Sequence, residues 1–242
     1  MVNGYRSRQF TDVRCHPDRL EQPLHWKKPR RIFVNSMSDL FHEAVPFEFI
    51  DNIFAAMALC PQHDFQVLTK RPEGMRKYFE DIGLRQELIG IEAEYISGTD
   101  RFSEMLPRWT LPLPNVWLGI SAENTATLDY RWPLLARTPA AVRFLSLEPL
   151  LEDVSRSLEL HLTELSADDE GPAVPIPDWV IAGSESGPHA RDYETEWFAN
   201  VARQCEQAGV AFFMKQLTVR GRKIPFEEFP GYLQVRQYPA AV

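Results

Sequence analysis

From position 31 onward the chain alternates short apolar runs, bounded by polar residues, with longer stretches of helical period. The runs are IFV (32–34), FQVL (65–68), VWLGI (116–120), VRFL (142–145), WVIA (179–182) and AFFM (211–214). Each is short, nearly continuous in apolar character and rich in β-branched or aromatic residues, which predicts a buried parallel strand. Between them, residues 46–59, 72–82, 125–136 and 194–208 predict helices. In the first, Phe49, Ile50, Ile53, Phe54 and Met57 share a face behind Pro46 in the first turn. In the last, Trp197, Phe198, Val201 and Cys205 share a face, and Gly209 follows as a C-terminal cap. Strand and helix in strict alternation predict a parallel α/β fold with about six strands.

Two stretches break the rhythm. Residues 83–114 carry Pro107, Pro112 and Pro114, and residues 152–177 are acidic and end in GPAVPIP. Both read as insertions, part helix and part loop, at about 83–114 and 152–177. The tail, 217–242, is basic and then proline-punctuated, and is expected to pack as loops.

Polar residues follow every apolar run. Ser38 and Asp39 come after the first, Lys70 and Arg71 after the second, Glu123 and Asn124 after the third. Ser146 and Glu148 come at the end of the fourth, Gly183, Ser184 and Glu185 after the fifth, and Lys215 after the sixth. In a parallel barrel these ends converge on one mouth, the face that carries active sites. The expectation is a pocket ringed by Asp39, Glu123, Glu148 and Glu185 with Lys70, Arg71 and Lys215. The competing explanation is that strand ends are polar because they leave the core, and that some of these residues cap helices. Gly183-Ser-Glu-Ser-Gly187 has the small residues of an anion-binding loop, but Glu185 would repel an anion, so an amine or hydroxyl ligand suits it better.

No HExxH, paired CxxC or GxSxG string is present, so no metal ligand and no catalytic nucleophile is assigned. The six histidines, His189 nearest the mouth among them, read as ordinary residues. The basic runs Lys27-Lys28-Pro29-Arg30-Arg31 and Arg220-Gly221-Arg222-Lys223 read as solvated surface, with contact to a polyanion as the rarer role.

The 242 residues suit one barrel domain over 1–242, and 44% hydrophobic content can fill its core. With 26 Lys+Arg against 34 Asp+Glu the net charge is −8, which argues against broad non-specific binding to nucleic acid but leaves room for a local basic patch. Cys15, Cys60 and Cys205 are far apart, so neither a disulfide framework nor a zinc module is expected, and a reducing cytoplasm is the natural setting. No apolar run reaches the ~18 residues of a membrane span, and the first twenty residues lack the apolar core of a signal peptide.

The strings KPRRIFVNSMSDLFHEAVP (28–46), FQVLTKRPEGM (65–75), LPNVWLGISAEN (113–124), RFLSLEPLL (143–151), DWVIAGSESGPHAR (178–191) and FFMKQ (212–216) resemble a phage and prophage protein family of unknown function that is related to radical S-adenosylmethionine enzymes. The resemblance implies a TIM-like (β/α) barrel of radical-SAM type. For intact members it implies a [4Fe–4S] cluster on three thiolates and S-adenosylmethionine bound at its open iron. It places the cofactor against Ser38, Asp39, Glu123, Asn124, Ser146, Glu148, Gly183 and Glu185, and an anionic substrate against Lys70, Arg71 and Lys215. It also implies a three-cysteine-motif partner protein. This chain departs from the pattern. The cysteine loop ending in a CxxCY-like pair is not found, Leu147 and Ser184 stand where the family often has Cys and Gly, and Leu217-Thr218-Val219 replaces a Trp-Gly string. The expectation is an incomplete, N-terminally truncated barrel without its first strand-helix unit, and no cluster in this chain.

Three readings stay open: a radical-SAM-like protein without its cluster, a barrel enzyme holding Mg²⁺ or Mn²⁺ on the strand-end carboxylates, and a non-catalytic binding or assembly protein for a small molecule or nucleic acid.

Overall fold

A computed structural model describes residues 13–36, 38–98, 109–163 and 174–240. Six strands, β1 (Arg31–Val34), β2 (Asp64–Thr69), β3 (Val116–Ser121), β4 (Val142–Leu147), β5 (Trp179–Gly183) and β6 (Ala211–Gln216), pair in chain order, every pair parallel. The sheet curls into a half-barrel. All six expected strands form where the apolar runs place them, because a strand covered on both faces needs apolar residues at consecutive positions.

Helices α1 (Phe47–Ala58), α2 (Pro72–Tyr78), α3 (Ile82–Ser97), α4 (Thr125–Ala136), α5 (Ser155–His161) and α6 (Thr195–Ala208) alternate with the strands. On the convex face Val116, Leu118, Ile120, Leu145, Leu147, Val180, Ala182, Phe212 and Met214 join the helix faces in one core. The opposite, concave face carries a second apolar cluster of Trp117, Val142, Phe144, Trp179 and Ile181, with Leu68, Ala211 and Phe213 against it. Phe33 lies in register with Gln66, which is in register with Trp117, so it shares that face; on the edge strand it stays 42% exposed. A Cβ on Gly119 would meet the Phe144 ring at 2.4 Å, so this glycine gives the ring its place in the floor.

The first insertion contains a full helix, α3, capped by Asp81, whose carboxylate accepts from the Leu84 N–H at 2.9 Å, and ended by left-handed Gly98. It is bolted to α1 through a buried triad. Asp51 is 2% exposed, accepts from the Tyr78 hydroxyl at 2.7 Å and from Arg85 at 2.9 and 3.1 Å. The second insertion contributes α5. Pro107 with the rest of 99–108, and residues 164–173, lie outside the described residues.

The tail corrects the loop expectation. Residues after β6 form a small antiparallel hairpin, β7 (Thr218–Val219) and β8 (Arg222–Lys223), and two 3-10 turns follow. The chain then runs antiparallel beside β6, with the Met214 N–H donating to Val235 and the Gln237 N–H to Phe212, both at 2.8 Å, and Arg236 bridging Phe213. It reaches the foot of the half-barrel, where Arg31 of β1 lies 3.9 Å from the Tyr238 ring centre and 5.1 Å from that of Trp117. One strap thus protects the β6 edge and reaches the foot of β1. Among the described residues no helix is long and apolar enough to cross a membrane.

Candidate functional site

The loops after the six strands meet at the carboxyl-terminal rim, and a continuous polar network crosses it. Asp39, in the loop after β1, is enclosed by donors: Phe41 N–H at 3.0 Å and Thr69 hydroxyl at 2.7 Å on one oxygen, Lys70 N–H at 3.0 Å and Arg71 at 3.2 Å on the other. It clips the end of β1 to the end of β2. Lys70 donates across to Glu123, which also accepts from Ser121 at 3.2 Å and from Arg131 at 3.1 Å. Burial works against the Glu123 charge, but the Lys70 ammonium and Arg131 guanidinium outweigh it and hold the carboxyl below the usual carboxylate range. Ser121 also reaches the Glu148 carbonyl at 3.4 Å. Glu148 in turn accepts from Ser146 and from Lys215, each at 3.0 Å. Its other oxygen lies so near Gly183 that a Cβ there would stand 2.6 Å away. Gly183 therefore serves by lacking a side chain over which this carboxylate must lie.

Glu185 forms a two-pronged pair with Arg191, at 2.7 and 3.0 Å, and accepts the Arg191 N–H at 3.0 Å. These hydrogen bonds pull its pKa from the ordinary 4.5 down to about 2. The repulsion expected of Glu185 toward an anion is thus cancelled by its own partner. Because the folded-state pKa is depressed, the stabilisation from this pair is present above the ordinary carboxylate range and is lost as pH falls toward 2. A carbon-detected NMR titration should place the Glu185 midpoint at about 2, and Arg191→Gln should return it toward the ordinary value.

The expected residues divide by role. Glu123, Ser146, Glu148, Gly183, Glu185, Lys70, Arg71 and Lys215 all come to the rim. Asn124 caps α4, its amide oxygen accepting from the Thr127 N–H at 2.9 Å in a reciprocal capping box, so its polarity has a structural use. Ser38 is exposed on the β1 loop, where its N–H donates to Asn35 at 3.2 Å. Sequence reasoning missed Thr69, Ser121, Arg131 and Arg191, the partners that hold the carboxylates. Arg191 sits inside one of the family-like strings, six residues beyond Glu185, and that spacing was its only signal.

The layering decides what the rim presents. The side chains of Asp39, Glu123, Glu148 and Glu185 are 13, 14, 13 and 29% exposed, whereas those of Arg71, Lys70, Lys215 and Arg191 are 45, 57, 53 and 57% exposed. The carboxylates lie beneath and the cations stand above them. The expected ring mixes both signs; in the structure its bases form the outer layer that meets solvent.

The cysteines do not meet at this rim. Cys205 lies within α6, and Cys60 follows the end of α1. Both are fully buried, and burial pushes their thiols up to about 12 and about 11. Cys15 is half-buried near the start of the described chain. Three thiolates around a cluster need the opposite environment, so these residues do not fit one. Among the described residues no group of three or more His, Cys, Asp or Glu side chains is placed to hold a metal ion.

No curated protein and no solved structure matches the chain. A family model described as "Protein of unknown function (DUF5131)" matches residues 2–224. With this match over nearly its whole length, the chain belongs to that family of unknown function.

Proposed function

We propose that the protein is a half-barrel of radical-SAM type that binds a small zwitterionic ligand at its carboxyl-terminal rim without holding an iron–sulfur cluster on its own cysteines. The observation that supports this reading is the hydrogen-bonded network from Asp39 through Lys70, Glu123, Ser121 and Glu148 to Lys215, which links the ends of β1 to β4 and β6, with the Glu185–Arg191 pair after β5 beside it, on the face where parallel barrels do their chemistry. S-adenosylmethionine is the ligand the resemblance implies, and its amino-acid end carries one ammonium and one carboxylate. The Glu148–Lys215 and Glu123–Lys70 pairs offer the complementary signs side by side. When bound, that ligand supplies an activated sulfonium. The chain's part is to hold it: Lys215 and Lys70 toward its carboxylate, Glu148 toward its amine, and the open backbone at Gly183 close to both. The reading in which the carboxylates bind Mg²⁺ or Mn²⁺ is disfavoured, because each already lies against a lysine or arginine that a metal would have to displace.

Two measurements test the proposal. Equilibrium dialysis with S-adenosylmethionine should show saturable binding, weakened roughly tenfold or more by Glu148→Gln, in line with ~1.5–3 kcal/mol for a hydrogen bond to a charged group. No retention at millimolar ligand sinks the binding claim. Anaerobic reconstitution with iron and sulfide should leave the chain without a stoichiometric cluster, and one cluster per chain overturns the second half of the reading.

A further inference from the structure

The two basic runs of the chain have different fates. The run before β1 is partly consumed at the foot of the barrel: Arg30 lies 4.5 Å from the Trp26 ring centre, and Arg31 packs between Tyr238 and Trp117 while facing Asp64 at 3.6 Å. The second run forms the β7–β8 hairpin, and that hairpin is docked on the rim. The Gly187 N–H, in the loop after β5, donates to the Gly221 carbonyl at 2.9 Å. The Ser184 and Thr218 hydroxyls share a hydrogen bond at 3.0 Å, and the Tyr193 hydroxyl donates to the Thr218 carbonyl at 2.7 Å. Gly221 has φ +74, and a Cβ there would fall 2.0 Å from the Gly187 carbonyl oxygen, so only glycine permits this approach. Arg220, Arg222 and Lys223 project from the docked hairpin, all exposed. Among the described residues none of the three has a carboxylate within salt-bridge distance.

The rim therefore continues a band of outward cations: Lys70 and Arg71 after β2, Arg191 after β5, Lys215 on β6, then the three of the hairpin. From β2 to β6 the band crosses four interstrand steps, about 19 Å along the curled sheet. One phosphate cannot touch both ends. Four of these seven cations each lie against a carboxylate, so the excess positive charge of the band comes from the hairpin; in a protein that carries −8 overall, that unpaired cluster beside outward-facing rim cations points to an anionic partner.

We infer that the rim binds the phosphodiester backbone of a single-stranded nucleic acid, with the β7–β8 hairpin as its outer clamp. The exposed Phe33 ring on the open side of the concave face offers a base a surface to stack on. This rests on the reading of the rim as the ligand site and names a substrate class for it. It fails separately, since strand binding needs neither S-adenosylmethionine nor a cluster.

The test is fluorescence anisotropy of the full chain with a labelled single-stranded oligonucleotide of about 12 nucleotides, titrated at several salt concentrations. The companion variant is Arg220→Asn, Arg222→Gln, Lys223→Gln, with asparagine at the left-handed position, φ 53, because it tolerates that backbone. Binding should weaken steeply with salt, and the variant should lower the slope of log affinity against log salt by about 2, at roughly 0.7 for each phosphate of a single strand that the variant leaves unneutralised. Unlabelled mononucleotide should compete only in large excess. The inference is overturned by no binding at low salt, by an unchanged slope in a variant whose circular dichroism matches wild type, or by a mononucleotide that binds as tightly as the strand.

Discussion

Asp51→Ala should destabilise the protein by about 3–5 kcal/mol, read as a lower urea midpoint at unchanged m-value. The loss comes from what the substitution leaves behind. Arg85, only 12% exposed at its side chain, would be a nearly buried guanidinium facing no carboxylate, and the Tyr78 hydroxyl, in a residue 1% exposed, would lose its acceptor. The Phe47 and Tyr78 rings, with centres 5.5 and 5.3 Å from the guanidinium carbon, already face it in the wild type, so they offset nothing of the loss. The triple replacement Asp51→Leu, Tyr78→Phe, Arg85→Met should recover most of the loss, because it removes every stranded polar group together. If the triple variant is as unstable as Asp51→Ala, the stranded-charge account is wrong and the loss is one of packing.

Asp51 also has a pH signature. Burial raises its pKa, and the hydrogen bonds from Tyr78 and Arg85 only partly offset this. A carboxyl with a raised folded-state pKa gives stability that is fully present below its unfolded value of about 3.8 and declines as pH rises through the folded one. Asp51→Asn should remove that decline from the stability–pH profile. Glu185, depressed to about 2, acts with the opposite sign and in a lower window.

Phe144→Ala is the other large effect, at about 3–5 kcal/mol, for a fully buried ring in the middle of the concave floor. Its ring lies 5.7 Å from that of Trp179 and fills the space above Gly119. Gly119→Ala alone should cost about 1–3 kcal/mol by overpacking, since its methyl would enter the ring. The pair should cost clearly less than the sum, because the added methyl then occupies part of the cavity left by the ring. Strict additivity in thermal or urea unfolding would mean that the two positions do not share that space.

How much was legible in the sequence follows from the range of the interactions. The strands and four of the helices could be read because their signals are local: an apolar run of three to five residues, a 3.6 period, a Pro at the start or a Gly at the end. Helix α3 was harder, with Gly83 and Gly90 inside it and its apolar residues spread round the axis rather than gathered on one face. The hairpin and strap of the tail carry no local signal, because the strap's pairing with β6 joins residues more than twenty positions apart, such as Phe212 with Gln237. The rim was legible as a set of strand ends, but not its order of layers.

By itself the sequence determined the six strands, their helices and the convergence of Asp39, Lys70, Arg71, Glu123, Glu148, Glu185 and Lys215, since parallel connection through helices sends every strand's end to one side. Only the tertiary structure decided the polarity of that side. Lys70 meets Glu123 across 53 positions and Lys215 meets Glu148 across 67, and no local pattern encodes which member of each pair lies uppermost. The shorter carboxylate side chains find hydroxyl and backbone donors beneath the rim, while the long lysine and arginine stems carry their charges outward to water. A rim of mixed charge therefore turns its cations to solvent.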